Sequence, residues 1–214
     1  MHTNIFIFGD SVSLGCYDAC GGWAQRLSNF LMERYLFGKG SDFFAYNLST
    51  HRQTTEDILL RLEKEIEPRL FREWAQDNVV VFAVGLKDSA YVHSKIGNWV
   101  DFNEFKANIK KMIVNARKVS KKIVFVGLYP IDESKMDPMQ YDTDKSYRNE
   151  DVRKYDRALQ AVAKENGAEY MPIFDKFAAA DYKKLLHDGA HPNSAGHQLI
   201  FEAVRDHLSE KKII

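Results

Sequence analysis

Three side chains near the two ends of this 214-residue chain have the types needed for nucleophilic chemistry. Ser11 follows the apolar run Ile5-Phe6-Ile7-Phe8 within Gly9-Asp10-Ser11. Asp188 and His191 share the segment Asp188-Gly189-Ala190-His191-Pro192. A serine hydroxyl is a weak nucleophile until a neighbouring base takes its proton, and an imidazole needs a carboxylate to fix its tautomer and stabilise the imidazolium. The chain order is Ser, Asp, His, and the acid precedes the base by three residues, so one short loop can hold both. Taken singly, each motif has a plainer reading: Ser11 as a turn residue and Asp188 as a helix cap. Taken together they supply the hydroxyl, imidazole and carboxylate of a triad.

These residues must be positioned by a scaffold, and the apolar pattern specifies one. Strand-length apolar runs are expected at about Asn4–Phe8, Phe43–Leu48, Val79–Val84, Ile123–Gly127 and Glu169–Ile173. They alternate with amphipathic stretches of helical length. One helix is expected over Gly22–Leu36, with Trp23, Leu27, Phe30 and Leu31 on one face and Gly38 and Gly40 as its stop. A second begins at a Thr54 cap with Asp57 three residues later, carries Ile58, Leu62 and Ile66, and ends near Pro68. Asp101 is expected to cap a third helix, with Phe102, Phe105, Ile109, Met112 and Ala116 inward. A fourth spans Asn149–Glu165, with Val152, Tyr155, Leu159 and Val162 inward and Gly167 as its stop. The last helix carries Ile200, Val204 and Leu208. Ser11 itself is expected on a loop that also carries Gly15. The alternation implies one α/β domain over residues 1–214, a three-layer α/β/α sandwich on a five-stranded parallel sheet. In such sheets, sites gather at the carboxyl ends of the strands. The loops after the first three strands, carrying Ser11, Leu48–Arg52 and Gly85–Asp88, are therefore expected to converge on one edge.

Through these residues the chain resembles the SGNH, or GDSL, hydrolases over nearly its whole length. Gly9-Asp10-Ser11 looks like the first block of that family and Asp188-Gly189-Ala190-His191-Pro192-Asn193 like its last; Gly22-Trp23 and Gly196-His197 also sit where the family often has such residues. The resemblance implies a flavodoxin-like sheet and hydrolysis of an ester or thioester through an acyl-enzyme on Ser11, with Asp188 and His191 completing the triad and no cofactor. Two blocks depart from the pattern. In Asn47-Leu48-Ser49-Thr50-His51-Arg52-Gln53-Thr54, Arg52 stands where the family has a glycine. In Gly85-Leu86-Lys87-Asp88, Lys87 stands where it has an asparagine. In the family those two residues complete an oxyanion hole with the nucleophile's own N–H. Ser11, Arg52 and Lys87 are accordingly the candidate oxyanion and substrate-binding residues. Arg52 retains a backbone N–H, and Lys87 offers a charged donor on a longer stem.

Two basic residues at positions the family keeps neutral suggest that they bind an anionic group on the substrate, such as a carboxylate or phosphate. The alternative is that both point to solvent. A different class of reading is an impaired hydrolase that binds a ligand without turning it over. A flavodoxin-like nucleotide binder is disfavoured because there is no glycine-rich phosphate loop. His51 and His187 read as polar loop residues beside the site, and Tyr129-Pro130 as possible pocket lining. The polar segment Ile131–Tyr147 is long for a connection and reads as either a binding loop or, with slight preference, a mobile surface loop.

Composition limits the rest. Hydrophobic residues are 45% and charged residues 28%, with 30 basic against 30 acidic residues. Zero net charge argues against a nucleic-acid binder. No apolar stretch approaches the roughly 20 residues of a membrane span. The first residues lack the basic region of a signal peptide, which points to the cytoplasm. Cys16 and Cys20 read as reduced, partly buried thiols, and with no second cysteine pair no zinc site is expected. The expected partner is a small-molecule ester, with esterase, thioesterase, lysophospholipase and carbohydrate deacetylase chemistries all open. No oligomeric state is indicated.

Overall fold

The computed structural model describes residues 2–38, 42–70 and 76–214. Strand β1 (His2–Gly9) leads into a single helical turn, α1 (Ser11–Leu14), and then into α2 (Gly22–Leu36). Next come β2 (Asp42–Asn47), α3 (Thr55–Ile66), β3 (Gln76–Ala83), the two-residue strands β4 (Tyr91–Val92) and β5 (Gly97–Asn98), and α4 (Phe102–Ala116). The chain continues with β6 (Lys122–Val126), α5 (Glu133–Met136), β7 (Lys145–Ser146), α6 (Asn149–Glu165), β8 (Glu169–Met171), α7 (Phe174–Ala179) and α8 (Ser194–Glu210).

Five strands form one parallel sheet in the order β2-β1-β3-β6-β8. Ile5, Phe6, Ile7 and Phe8, and likewise Val79 to Phe82, are fully buried without alternation. That is the pattern of strands covered on both faces. After β2 the chain crosses back over β1 to β3 and thereafter moves only the other way. Right-handed crossovers therefore send α2 to one face of the sheet and α3, α4 and α6 to the other. The helix contacts agree: α2 packs on α8, α3 on α4, and α4 on α6. The strand order reverses at β1, whose connection leaves toward α2 while that of its neighbour β3 leaves toward α4. This is the switch point at which α/β sheets open a crevice.

Local chemistry accounts for the helix ends. Thr54 and Asp57 form a reciprocal capping box at α3. The Asp101 carboxylate caps α4, and the Asn193 side chain caps α8 by accepting from Ala195 and Gly196. Helix α2 ends before Gly38, which is left-handed; Gly40 lies outside the described residues. The strand expected over Glu169–Ile173 ends at Met171. Four residues expected as loop, Ser11–Leu14, are instead one turn of helix, capped by the Asp10 carboxylate and closed by left-handed Gly15.

A second, three-stranded antiparallel sheet, β5-β4-β7, lies outside the sequence expectation. It ties part of the segment 131–147 to the chain after β3. This segment is therefore not a free surface loop. It also holds α5, and Tyr147 donates its N–H back to the Met136 carbonyl.

Candidate active site

The nucleophile candidate is held by the end of β1 and the start of α1. Ser11 is the first residue of the turn, where a backbone N–H has no intrahelical acceptor. The Asp10 carboxylate accepts from Val12 N at 2.9 Å. Burial pushes the Asp10 pKa up, against the pull of that hydrogen bond and of nearby His191 and Lys87. From the neighbouring strand, the Asn47 amide donates to the Ser13 carbonyl at 2.9 Å, stapling the end of β2 to this turn.

The base and acid candidates come from the loop between α7 and α8. Ser11 Oγ lies 2.9 Å from His191 Nε2, and His191 Nδ1 lies 2.8 Å from Asp188 Oδ2. In the tautomer this network favours, Ser11 donates to Nε2 and Nδ1–H donates to Asp188. Asp188 Oδ1 also accepts the backbone N–H groups of Ala190 and His191, at 3.0 and 2.8 Å. Burial alone would raise the Asp188 pKa, but these hydrogen bonds and the imidazole together hold it well below the usual carboxylate range. The loop is braced from below, where buried Tyr129 donates its hydroxyl to the Ala190 carbonyl at 2.9 Å. Tyr129 was expected to line the pocket, but it supports the loop and is absent from the lining of the cleft above Ser11. From above, the Tyr17 ring stacks on His187 at 4.6 Å and tilts over His191 at 5.0 Å.

Ser11 and His191 open into a cleft of about 270 Å³. A larger groove of about 950 Å³ lies between α4 and α6, but it touches neither residue. The cleft's lining includes His51, Arg52 and Lys87 from the loops after β2 and β3. Met139, Tyr141, Asp142, Lys145 and Tyr147 are the contribution of the segment 131–147, which is thus a wall of the cleft. Burial lowers the His51 pKa, and the charges of Arg52, His191 and Lys87 add to the effect. Cys16 is partly buried, with Sγ 3.8 Å from His51 Nδ1, while Cys20 is exposed; both are free thiols.

Arg52 adopts a left-handed backbone, φ 61°, a conformation that glycine enters without penalty. The Lys87 ammonium donates to the Arg52 backbone carbonyl and sits over the Trp99 ring, 4.3 Å from its centroid. The two departures noted in the sequence are therefore one linked feature. The ammonium of Lys145 lies over the same ring at 4.7 Å and pairs with Asp142. The small sheet creates this arrangement, since Trp99 directly follows β5 and Lys145 opens β7. Sequence reasoning missed Tyr17, Trp99 and Lys145. Their roles come from contacts between distant loops, although Trp99 sits just before the Asp101 cap that the sequence did expose.

A five-stranded parallel sheet with a Ser-His-Asp hydrogen-bonded chain at its carboxyl edge is the architecture of SGNH-type hydrolases. Residues 7–199 match the model of the GDSL-like Lipase/Acylhydrolase family, and the chain belongs to that family of carboxylic ester hydrolases. Among solved structures, it is similar to a lipase/acylhydrolase from Enterococcus faecalis, with a TM-score of 0.76, 19% identity, and coverage of 99% of this chain and 97% of that one. It is also similar to an acetylxylan esterase from Geobacillus stearothermophilus, with a TM-score of 0.70, 17% identity, and coverage of 95% and 92%. A G-D-S-L family lipolytic protein from Veillonella parvula gives a TM-score of 0.69 at 17% identity, covering 95% and 97%. No curated protein sequence matches.

Proposed function

We propose that this protein hydrolyses a small ester or thioester through an acyl-enzyme on Ser11. The observation that carries the reading is the hydrogen-bonded chain from Ser11 Oγ through His191 to Asp188, at 2.9 and 2.8 Å. Ser11 Oγ attacks the carbonyl carbon as its proton passes to His191 Nε2. The tetrahedral intermediate then expels the alcohol or thiol, which takes that proton. A water deprotonated by His191 attacks the acyl-enzyme and releases the acid and Ser11. Asp188 holds the tautomer and stabilises the imidazolium through its charge.

The developing oxyanion is met by the N–H of Ser11 and by donors on the loops carrying Arg52 and Lys87. The left-handed φ of Arg52 is one that a glycine turn also adopts, which supports its backbone N–H as one of these donors. A cleft of about 270 Å³ falls at or below the lower end of ordinary ligand pockets, which supports a small substrate.

Treatment with a fluorophosphonate and intact-mass measurement tests the reading. The wild-type protein is expected to gain one adduct, mapped to Ser11, and to hydrolyse short-chain esters. Ser11→Ala is expected to lose the adduct and to reduce kcat by three or more orders of magnitude, roughly as in other serine triads. No adduct at Ser11 together with no ester turnover would replace this reading with that of a binding protein, and turnover equal in the mutant would move the chemistry to another residue.

A further inference from the structure

The charges lining the cleft do not balance. Arg52, Lys87 and Lys145 bring three cations to it. Among the described residues, neither Arg52 nor Lys87 forms an ion pair; only Lys145 does, with Asp142. Asp10 and Asp142 are the two acids that line the cleft with them, and Asp57 and Asp88 act on Lys87 from outside that lining. Asp57 accepts from Thr54 in the capping box, and Asp88 accepts from Thr55 N and Oγ1 at 3.0 and 2.6 Å. Asp10 accepts from Val12 N beneath the nucleophile. The protein as a whole carries as many acids as bases, so the excess is local.

Two of the cations are held in place, while the Arg52 side chain is exposed beside them. The Lys87 ammonium has three donors. One is taken by the Arg52 carbonyl, and the indole face of Trp99 receives the charge without supplying an anion. Lys145 is held over the same ring at the mouth formed by β7. Lys87 and Lys145 thus keep their charge against the cleft wall with exposed Arg52 beside them, and like charges at close range favour whatever anion comes between them.

We infer that the substrate is an anionic ester, carrying a carboxylate or phosphate that binds between Arg52, Lys87 and Lys145 while its ester carbonyl lies over Ser11. This inference rests on the hydrolase reading and adds the substrate's charge to it. The anion can belong to the acyl part or to the alcohol, and both sources are tested separately.

For the acyl side, kcat/KM is compared between 4-nitrophenyl hemiglutarate and 4-nitrophenyl pentanoate, in which a carboxylate replaces a methyl. For the alcohol side, 3-acetoxypropanoate is compared with propyl acetate. The wild type is expected to prefer the anionic member at least tenfold in one of the two pairs. That preference should fall at least tenfold in Arg52→Gly and in Lys87→Met. Because each variant is judged by the ratio within a pair, a general loss of activity does not decide the result. Ratios near one in both pairs, or ratios unchanged in both variants, overturn the inference while leaving neutral-ester hydrolysis by Ser11 intact.

If neither pair is hydrolysed, the hydrolase reading fails first, and calorimetry on the Ser11→Ala protein decides the anion site alone. Glutarate is then expected to bind at least tenfold more tightly than glutaramide, with the difference lost on adding Arg52→Gly. Equal affinity for the two compounds overturns the site.

Discussion

Arg52 is held in a backbone conformation that disfavours side chains bearing a Cβ. For a non-glycine residue the left-handed region costs roughly 1–2 kcal/mol, and Arg52 sits there at φ 61° beside the candidate nucleophile. The hydrogen bond from Lys87 goes to the Arg52 backbone carbonyl, which a glycine would retain. Arg52→Gly is therefore expected to stabilise the fold. The gain is reduced by about 0.4–1 kcal/mol, because glycine frees the unfolded chain. A net increase of about 0.5–1 kcal/mol in unfolding free energy should appear in chemical denaturation. A loss of stability would mean that the guanidinium makes contacts that outweigh the strain. Such local strain beside a candidate active site points to a side chain that serves the site at a cost to the fold.

At the scale of elements, the turn that carries Ser11 packs closely against the start of α2. A Cβ built on Gly15 would lie 2.2 Å from the Gly21 carbonyl oxygen, and Gly15 is left-handed at φ 93°. Gly15→Ala must therefore move backbone on one side or the other. The expected result is a destabilisation of about 2 kcal/mol or more, in the range of strained, overpacked substitutions, together with slower fluorophosphonate labelling of Ser11. Unchanged labelling would show that α1 keeps its place without this contact. The long elements were legible in the sequence because period and caps agree: α2 and α6 run over Gly22–Leu36 and Asn149–Glu165, as the apolar spacing and end residues imply. The turn α1 was not, because four residues show no period. The wall of the cleft was hidden for a related reason. Strands β4, β5 and β7 have two residues each, too few to show a period, and β7 joins β4 only through the distant pairs Tyr91–Ser146 and Val92–Lys145. The sequence could therefore name Ser11, Asp188 and His191 from motifs, and Arg52 and Lys87 from their departure from a motif. Trp99 and Lys145 emerge only from the assembled sheet.

For the whole molecule, the deepest carboxylate ties stability to pH. Asp88 is fully buried, and burial pushes its pKa from an ordinary 3.8 up to about 7, despite the hydrogen bonds from Thr55 that favour the charged form. Between about pH 4 and pH 7 the folded chain holds a proton that the unfolded chain has released. Stability contributed by this group therefore falls as pH rises through that window and levels off above it. Asp88→Asn can still accept from Thr55 but carries no such proton. Its unfolding free energy, followed by denaturant titration from pH 4 to 8, is expected to decline less steeply than that of the wild type. An identical slope would remove Asp88 as the cause. The molecule's topology also has a consequence in time. The Ser11–His191 hydrogen bond joins positions 180 residues apart. At typical rates of synthesis of about 5–20 residues per second, His191 leaves the ribosome roughly 10–40 s after Ser11. A nascent or truncated chain ending before His191 carries the Ser11 hydroxyl without this hydrogen-bond partner, so the proposed acyl transfer is expected only once residue 191 has been made.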